Sequence, residues 1–247
     1  MRLTSPTAAA CLVAGVCLAV PGLRAAEAPA ADETEGRKYK LTVAAYRADG
    51  DTSYDANLRR RHGDFVAWIG GYADPRGDDQ GRAGGEYDLE RPRALLVPSL
   101  QLASNGFVQG SVYAELGGAT HAIVGYSRTN LKPYFTLTFD PNDSVQLGAG
   151  RTTRDGGRID LFTIADVRLG TGQQDTHLQW RRGLRRGDRV TLDVVYKSGH
   201  TDEGIYVRAV GATATYDRPR WSLRLAYDPH VNFGRDAMAR LGVAWRF

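Results

Sequence analysis

From Lys38 to the C-terminus, apolar and polar residues alternate with a period of two in one short segment after another. Period two marks an extended strand, whose successive side chains leave on opposite faces. The C-terminal stretch shows it most cleanly. Ala237, Ala239, Leu241, Val243, Trp245 and Phe247 form an apolar set, interleaved with Met238, Arg240, Gly242, Ala244 and Arg246. The same alternation predicts strands over 38–47, 55–61, 65–72, 82–90, 94–103, 107–116, 119–127, 144–151, 157–166, 176–182, 189–197, 204–216 and 221–227. Within 204–216 it slips near Val210, which predicts a bulge there. No stretch carries the helical period, so the chain is all-β.

The connections fall into two kinds. His62-Gly63-Asp64, Arg91-Pro92-Arg93, Gly117-Gly118, Asp155-Gly156-Gly157, Arg185-Arg186-Gly187 and Asp217-Arg218-Pro219 are short. Between them come longer ones at 73–81, 128–143, 167–175, 197–203 and 228–235. Short and long alternate only if the strand number is about 14 and the segment from Leu131 to Phe139 is left out; boundaries that err by a few residues keep 12 open. That segment is unusual. Pro133 discourages a central ladder strand, yet Tyr134, Phe135, Leu137 and Phe139 are too apolar for a loop tip in water. It is expected to fold back as a constriction, with Lys132, Tyr134, Phe135, Phe139 and Asp140 as its working residues. The alternative is an ordinary hairpin extension.

The chain ends support one class. Arg2 is followed by a mostly apolar stretch from Ala8 to Val20, then Pro21 and small residues. This predicts a secretory signal over 1–25, cleaved after Ala25 or alternatively Gly22, and too short to span a bilayer. Residues 26–36 are rich in Ala, Pro, Glu and Asp and predict a disordered periplasmic leader; the remaining domain is 37–247. Cys11 and Cys17 both leave with the signal, so neither a disulfide framework nor a thiolate metal site is expected. At the other end, Trp245 and the terminal Phe247 resemble the C-terminal signal of Gram-negative outer-membrane β-barrel proteins. The resemblance implies a transmembrane antiparallel up-and-down barrel in the outer membrane, read by the barrel-assembly machinery, surrounded by lipid and lipopolysaccharide, and monomeric. No named family within that class is matched.

The chain has 32 Lys and Arg against 28 Asp and Glu, and losing Arg2 and Arg24 with the signal leaves it close to balanced. The basic residues are scattered along the chain rather than grouped, so nucleic acid is not expected as a partner. No cofactor or metal is expected either. Charges at alternating strand positions cannot face lipid, where each costs about 2–4 kcal/mol at the midplane. Lys40, Arg59, Arg61, Arg158, Arg181, Lys197, Arg208, Arg224, Arg240 and Arg246 are therefore expected in the lumen. Glu86, Asp88, Glu115, Asp160 and Asp193 join them, with His121 and His177. Basic groups outnumber acids there about two to one, which predicts a passive channel for small solutes with a weak anion preference.

Two other functions are weighed against it. A lipid-modifying hydrolase would need a Ser and a base. Ser104-Asn105-Gly106 resembles the Ser-Asn-Gly of outer-membrane phospholipase A, but Leu102 stands where that family has its histidine. His121 and Ser127 both point inward, yet six residues along one strand separate them by about 20 Å. The third possibility is a structural or adhesive barrel with a blocked lumen.

Overall fold

The computed structural model describes residues 36–77, 79–134, 140–201 and 203–247. The expected signal peptide, residues 26–35, and Phe135 and Phe139 of the expected constriction lie outside the described residues. The strands are β1 Tyr39–Ala48, β2 Asp51–His62, β3 Phe65–Ala73, β4 Gln80–Tyr87, β5 Leu89–Arg91, β6 Ala94–Ala103, β7 Phe107–Gly117 and β8 Thr120–Thr129. They continue with β9 Ser144–Thr152, β10 Arg158–Asp166, β11 Gln174–Gly183, β12 Arg189–His200, β13 Tyr206–Asp217, β14 Trp221–Asp228 and β15 Met238–Arg246.

Each strand pairs antiparallel with its sequence neighbours, and two pairings close the ring. β1 meets β15 from Lys40 opposite Arg246 to Ala48 opposite Met238, and β4 meets β6. β5 is the continuation of β4 past Asp88 and pairs with the same neighbour. The 15 strands thus make a closed barrel of 14. Closure removes the open sheet edge within the barrel, so that the ladder N–H and C=O groups pair with neighbouring strands; only towards the far rim does β13 run past its β14 partner, from Tyr206 to Gly211. The seam is tied at its end. Tyr39 and Phe247 exchange backbone N–H···O bonds of 2.9 and 3.0 Å, and their rings stack at 5.6 Å.

The period-two pattern becomes an inside and an outside. On β15, Leu241, Val243 and Trp245 are about half exposed, while Met238, Ala244 and Arg246 on the alternate positions are buried. Aromatic side chains border the outer apolar band. Tyr39, Phe65, Tyr87, Trp245 and Phe247 lie towards the rim that carries the two chain ends, here the near rim. Tyr54, Tyr126, Tyr196 and Tyr227 lie towards the opposite, far rim. An apolar band between aromatic girdles around a polar interior is how a β-barrel crosses a bilayer.

The connections at the near rim are the short ones, as the sequence predicts. The long ones, including 130–143, 167–173 and 229–237, are at the far rim. The expected bulge near Val210 is absent. The β12–β13 register runs unbroken from Arg189 opposite Asp217 to His200 opposite Tyr206. Arg208 is accordingly not a lumen residue. It stands exposed on the outward set with its guanidinium 5.3 Å from the Tyr206 ring centroid. The alternation of polarity reverses there while the backbone does not, because Val207 and Ala209 take the inward positions near the rim instead.

Candidate functional site

The lumen is lined by inward positions from all the strands, and its near third is a set of ion pairs. Arg61 Nη1 lies 2.8 Å from Asp88 Oδ2, and Arg59 Nη2 lies 3.4 Å from Glu86 Oε1 with its guanidinium 5.1 Å from the Trp68 ring. Arg158 donates to both oxygens of Glu115 at 2.8 and 2.9 Å, and its Nε donates to Asp160 at 2.6 Å. Asp160 also faces His121 Nε2 at 3.2 Å. Arg189 and Arg246 share Asp217 at 3.1 and 3.0 Å. Arg181 donates to Gln179 Oε1 at 3.2 Å. Pairing of this kind satisfies each buried charge that would otherwise cost several kcal/mol.

At mid-height two walls differ. Over β6, β7, β8 and β10 the inward residues Val97, Tyr113, Ile123, Phe162 and Ile164 form an apolar cluster inside the barrel. His177 on β11 stacks on Phe162 with centroids 4.6 Å apart. Its Nδ1 lies 3.2 Å from Asp193, and its Nε2 lies 2.9 Å from Asp140, which comes from the loop between β8 and β9. On the other side, β14, β15 and β1 present small inward residues, Ala226, Gly242, Ala244, Thr42 and Ala44, interspersed with Arg224, Arg240, Arg246 and Lys40, and towards the far rim Ala44 packs with Tyr46, Tyr72 and Met238. The Arg240 guanidinium lies 5.0 Å from the Tyr46 ring centroid. Arg82 on β4 is paired with Asp55 on β2 at 2.6 Å.

At the far third, the described ends of the β8–β9 connection, 130–134 and 140–143, meet the barrel wall. The base of the connection is fixed by Asp143, which accepts from the Thr129 hydroxyl at 2.6 Å and from Arg168 at 2.8 Å. Tyr134 then turns inside, buried, its ring stacked on Phe107 at 4.5 Å. Phe107 belongs to β7 and His177 to β11, so the anchors at Tyr134 and Asp140 sit on different walls. Lys132, two residues before Tyr134, is exposed. Below the rim, Lys197 Nζ is held by Asp228 at 2.8 Å and by the His230 carbonyl at 2.9 Å, over the Phe233 ring. Its register partner Asp175 is buried with neither carboxylate oxygen hydrogen-bonded. On the rim itself Asp74 accepts from Ser53, Tyr72 and the Arg76 amide at 2.7, 2.9 and 2.8 Å. Burial pushes its carboxyl up, but these donors outweigh burial and hold it at about 2.

Most residues predicted from the sequence to line the lumen are thus on inward positions; Arg208 is not. His121 and Ser127 are inward but serve separate networks: His121 faces Asp160, while the Ser127 hydroxyl accepts from Gln109 Nε2 at 2.6 Å. Ser104-Asn105-Gly106 is a tight turn with Asn105 at φ 63°, and the Ser104 hydroxyl accepts from the Gly81 amide. Sequence reasoning missed the inward acids Asp55, Asp175, Asp217 and Asp228. They bring lumen acids close to parity with lumen bases and remove the two-to-one ratio. Alternation around Asp55, Asp217 and Asp228 carries the signal, but in the sequence pattern each stands at a strand end or in a turn. Among the described residues, no group of three or more His, Cys, Asp or Glu side chains is placed to hold a metal ion.

No protein-family model matches the chain, and no curated protein sequence matches it significantly. Solved structures do. The outer membrane protein Omp33 of Acinetobacter baumannii superposes with a TM-score of 0.56 at 11% identity, covering 85% of this chain and 98% of that one. A mutant of the Rh. blastica porin gives 0.48 at 11% identity, over 85% and 99% of the two chains. The KdgM porin gives 0.47 at 10% identity, over 84% and 99%. The likeness to Omp33 is one of fold; the two looser superpositions add nothing to it.

Proposed function

We propose that the chain is a passive outer-membrane channel for small hydrophilic solutes, weakly selective for anions and narrowed by the connection between β8 and β9. The observation that carries this reading is the cationic wall. Along β14, β15 and β1 the charged inward side chains are Lys40, Arg224, Arg240 and Arg246, and the single inward acid, Asp228, is at the far end. Preference therefore rests on where the bases stand rather than on how many there are. The guanidiniums of Arg224 and Arg240, laid over small residues, can shift to pass a solute, whereas Arg246 is held by Asp217 and the apolar cluster opposite cannot move aside. A tube of low dielectric concentrates the field of such a wall and favours mobile anions.

Three further features support the reading. Buried polar atoms without a protein partner, in Ser144, Gln146, Asp175 and Gln179, suit a wet interior better than a sealed core. Tyr134 and Asp140 give the narrowing two fixed points. The stacking of Phe247 on Tyr39 at the seam fits Trp245 and Phe247 serving as the signal for the barrel-assembly machinery. A hydrolase is not favoured, since Ser127 is fully buried and bonded to an amide rather than a base.

The test is planar-bilayer conductance of the refolded protein beside Tyr134→Ala combined with Asp140→Asn. The wild type should conduct, and the double variant several-fold more. Membranes that stay closed at every voltage in both proteins would contradict the channel and favour a structural barrel.

A further inference from the structure

The near rim carries a second pattern. In sequence its arginines are scattered, but up-and-down topology brings every second connection to the same end. Arg93, Arg151, Arg154, Arg185, Arg186 and Arg220 are all exposed there, and none forms an ion pair among the described residues. Two neighbours sit directly on the aromatic girdle: the Arg60 guanidinium is 5.7 Å from the Tyr39 ring and that of Arg218 is 5.9 Å from Trp221. The acids on this rim are fewer. Asp155 and Asp188 are engaged by Arg182 and Arg218 at 3.7 and 3.3 Å, leaving Asp64 and Glu90. The far rim differs, mixing exposed Asp49, Asp79, Glu203 and Asp236 with its bases.

We infer that the near rim is a collar that binds anionic phospholipid headgroups around the barrel. The occupant is chosen by geometry. The guanidiniums occur on four of the six near-rim turns and so encircle the barrel at one height, just beyond the aromatic girdle, where headgroups lie. A planar annulus of phosphates meets all of them at once; a protein docked at one side would meet few. Guanidinium binds phosphate oxygens through paired N–H donors, and basic residues at the boundary gain from the negative potential of an anionic leaflet. This inference needs the barrel to be in a membrane but does not need its lumen to conduct.

The protein refolded in phosphatidylcholine vesicles containing spin-labelled phosphatidylglycerol or spin-labelled phosphatidylcholine reads the collar directly. Wild type should show a relative association constant of roughly 2 or more for the anionic label, falling towards one in high salt as screening shortens. Arg93→Gln, Arg154→Gln, Arg185→Gln and Arg220→Gln together should bring it near one at low salt. The far-rim set Arg47→Gln, Lys132→Gln and Arg208→Gln should leave it unchanged. Heat-modifiable migration on gels confirms that each protein is folded, and the pair Arg93→Gln with Arg185→Gln gives an intermediate value if the fourfold variant does not fold. No preference in the wild type, an unchanged preference in the fourfold variant, or an equal loss from the far-rim set would each overturn the collar.

Discussion

The two walls of the lumen are built from the same strand geometry and do opposite things. At mid-height on β6, β7, β8 and β10 five large inward residues, Val97, Tyr113, Ile123, Phe162 and Ile164, interlock and fill space. Along the middle of β14, β15 and β1 they are small and stand between long cationic side chains, with a second apolar cluster of Ala44, Tyr46, Tyr72 and Met238 towards the far rim. A barrel of this width therefore need not be all plug or all pore. One wall supplies cohesion that a polar lumen lacks, and the other keeps groups that can move.

The contrast predicts unequal tolerance to a single methyl group. A Cβ at Gly148 on β9 would overlap the Phe162 Cβ and the Leu161 carbonyl oxygen, whereas one at Gly242 on β15 would stand at an ordinary 3.6 Å from the Ala44 Cβ. Gly148→Ala should sharply lower the refolded fraction, and Gly242→Ala should refold like wild type. Phe162→Ala should lower stability by about 3–5 kcal/mol, as large-to-small changes at buried aromatics do. Urea titration after refolding measures all three, and equal effects at Gly148 and Gly242 would remove the distinction between the walls.

The sequence made the strands legible because lipid outside enforces an apolar outward set. Trp221, Leu223, Leu225 and Tyr227 could be read without ambiguity. It said less about the inward set, which is under no such rule. On β3, Val66, Trp68 and Tyr72 face in while Phe65 and Ile69 face out, so period two exists but its sides cannot be told apart. Arg208 reads as inward for the related reason that near Val210 polarity alone does not fix direction. The apolar cluster and the Asp140–His177 contact join residues far apart in the chain, and no local pattern announces them.

A smaller effect concerns the far rim, which neither wall dominates. Asp74 is held at about 2 in the folded protein, below the ordinary carboxylate value of 3.8. A depressed folded value stabilises above the unfolded value and is lost as pH falls through the folded one. The contacts of Asp74 with Ser53, Tyr72 and Arg76 should therefore persist at neutral pH and weaken between about pH 4 and 2. Hydrogen-exchange protection of the Arg76 amide, which Asp74 holds, should fall across that window and should be low at every pH in Asp74→Asn. A flat wild-type profile would show that the carboxylate does not hold the turn.

The most direct test of the two-wall account is the reversal potential of single channels in a potassium chloride gradient, for wild type and for Arg224→Glu combined with Arg240→Glu. Both residues lie on clean, adjacent strands of the cationic wall. The wild type should prefer chloride, and the double variant should lose or reverse that preference, with the difference shrinking at high salt as the screening length falls to about 3 Å. A cation-preferring wild type, or a reversal potential that the double substitution leaves unmoved, would contradict the assignment of conduction to this wall.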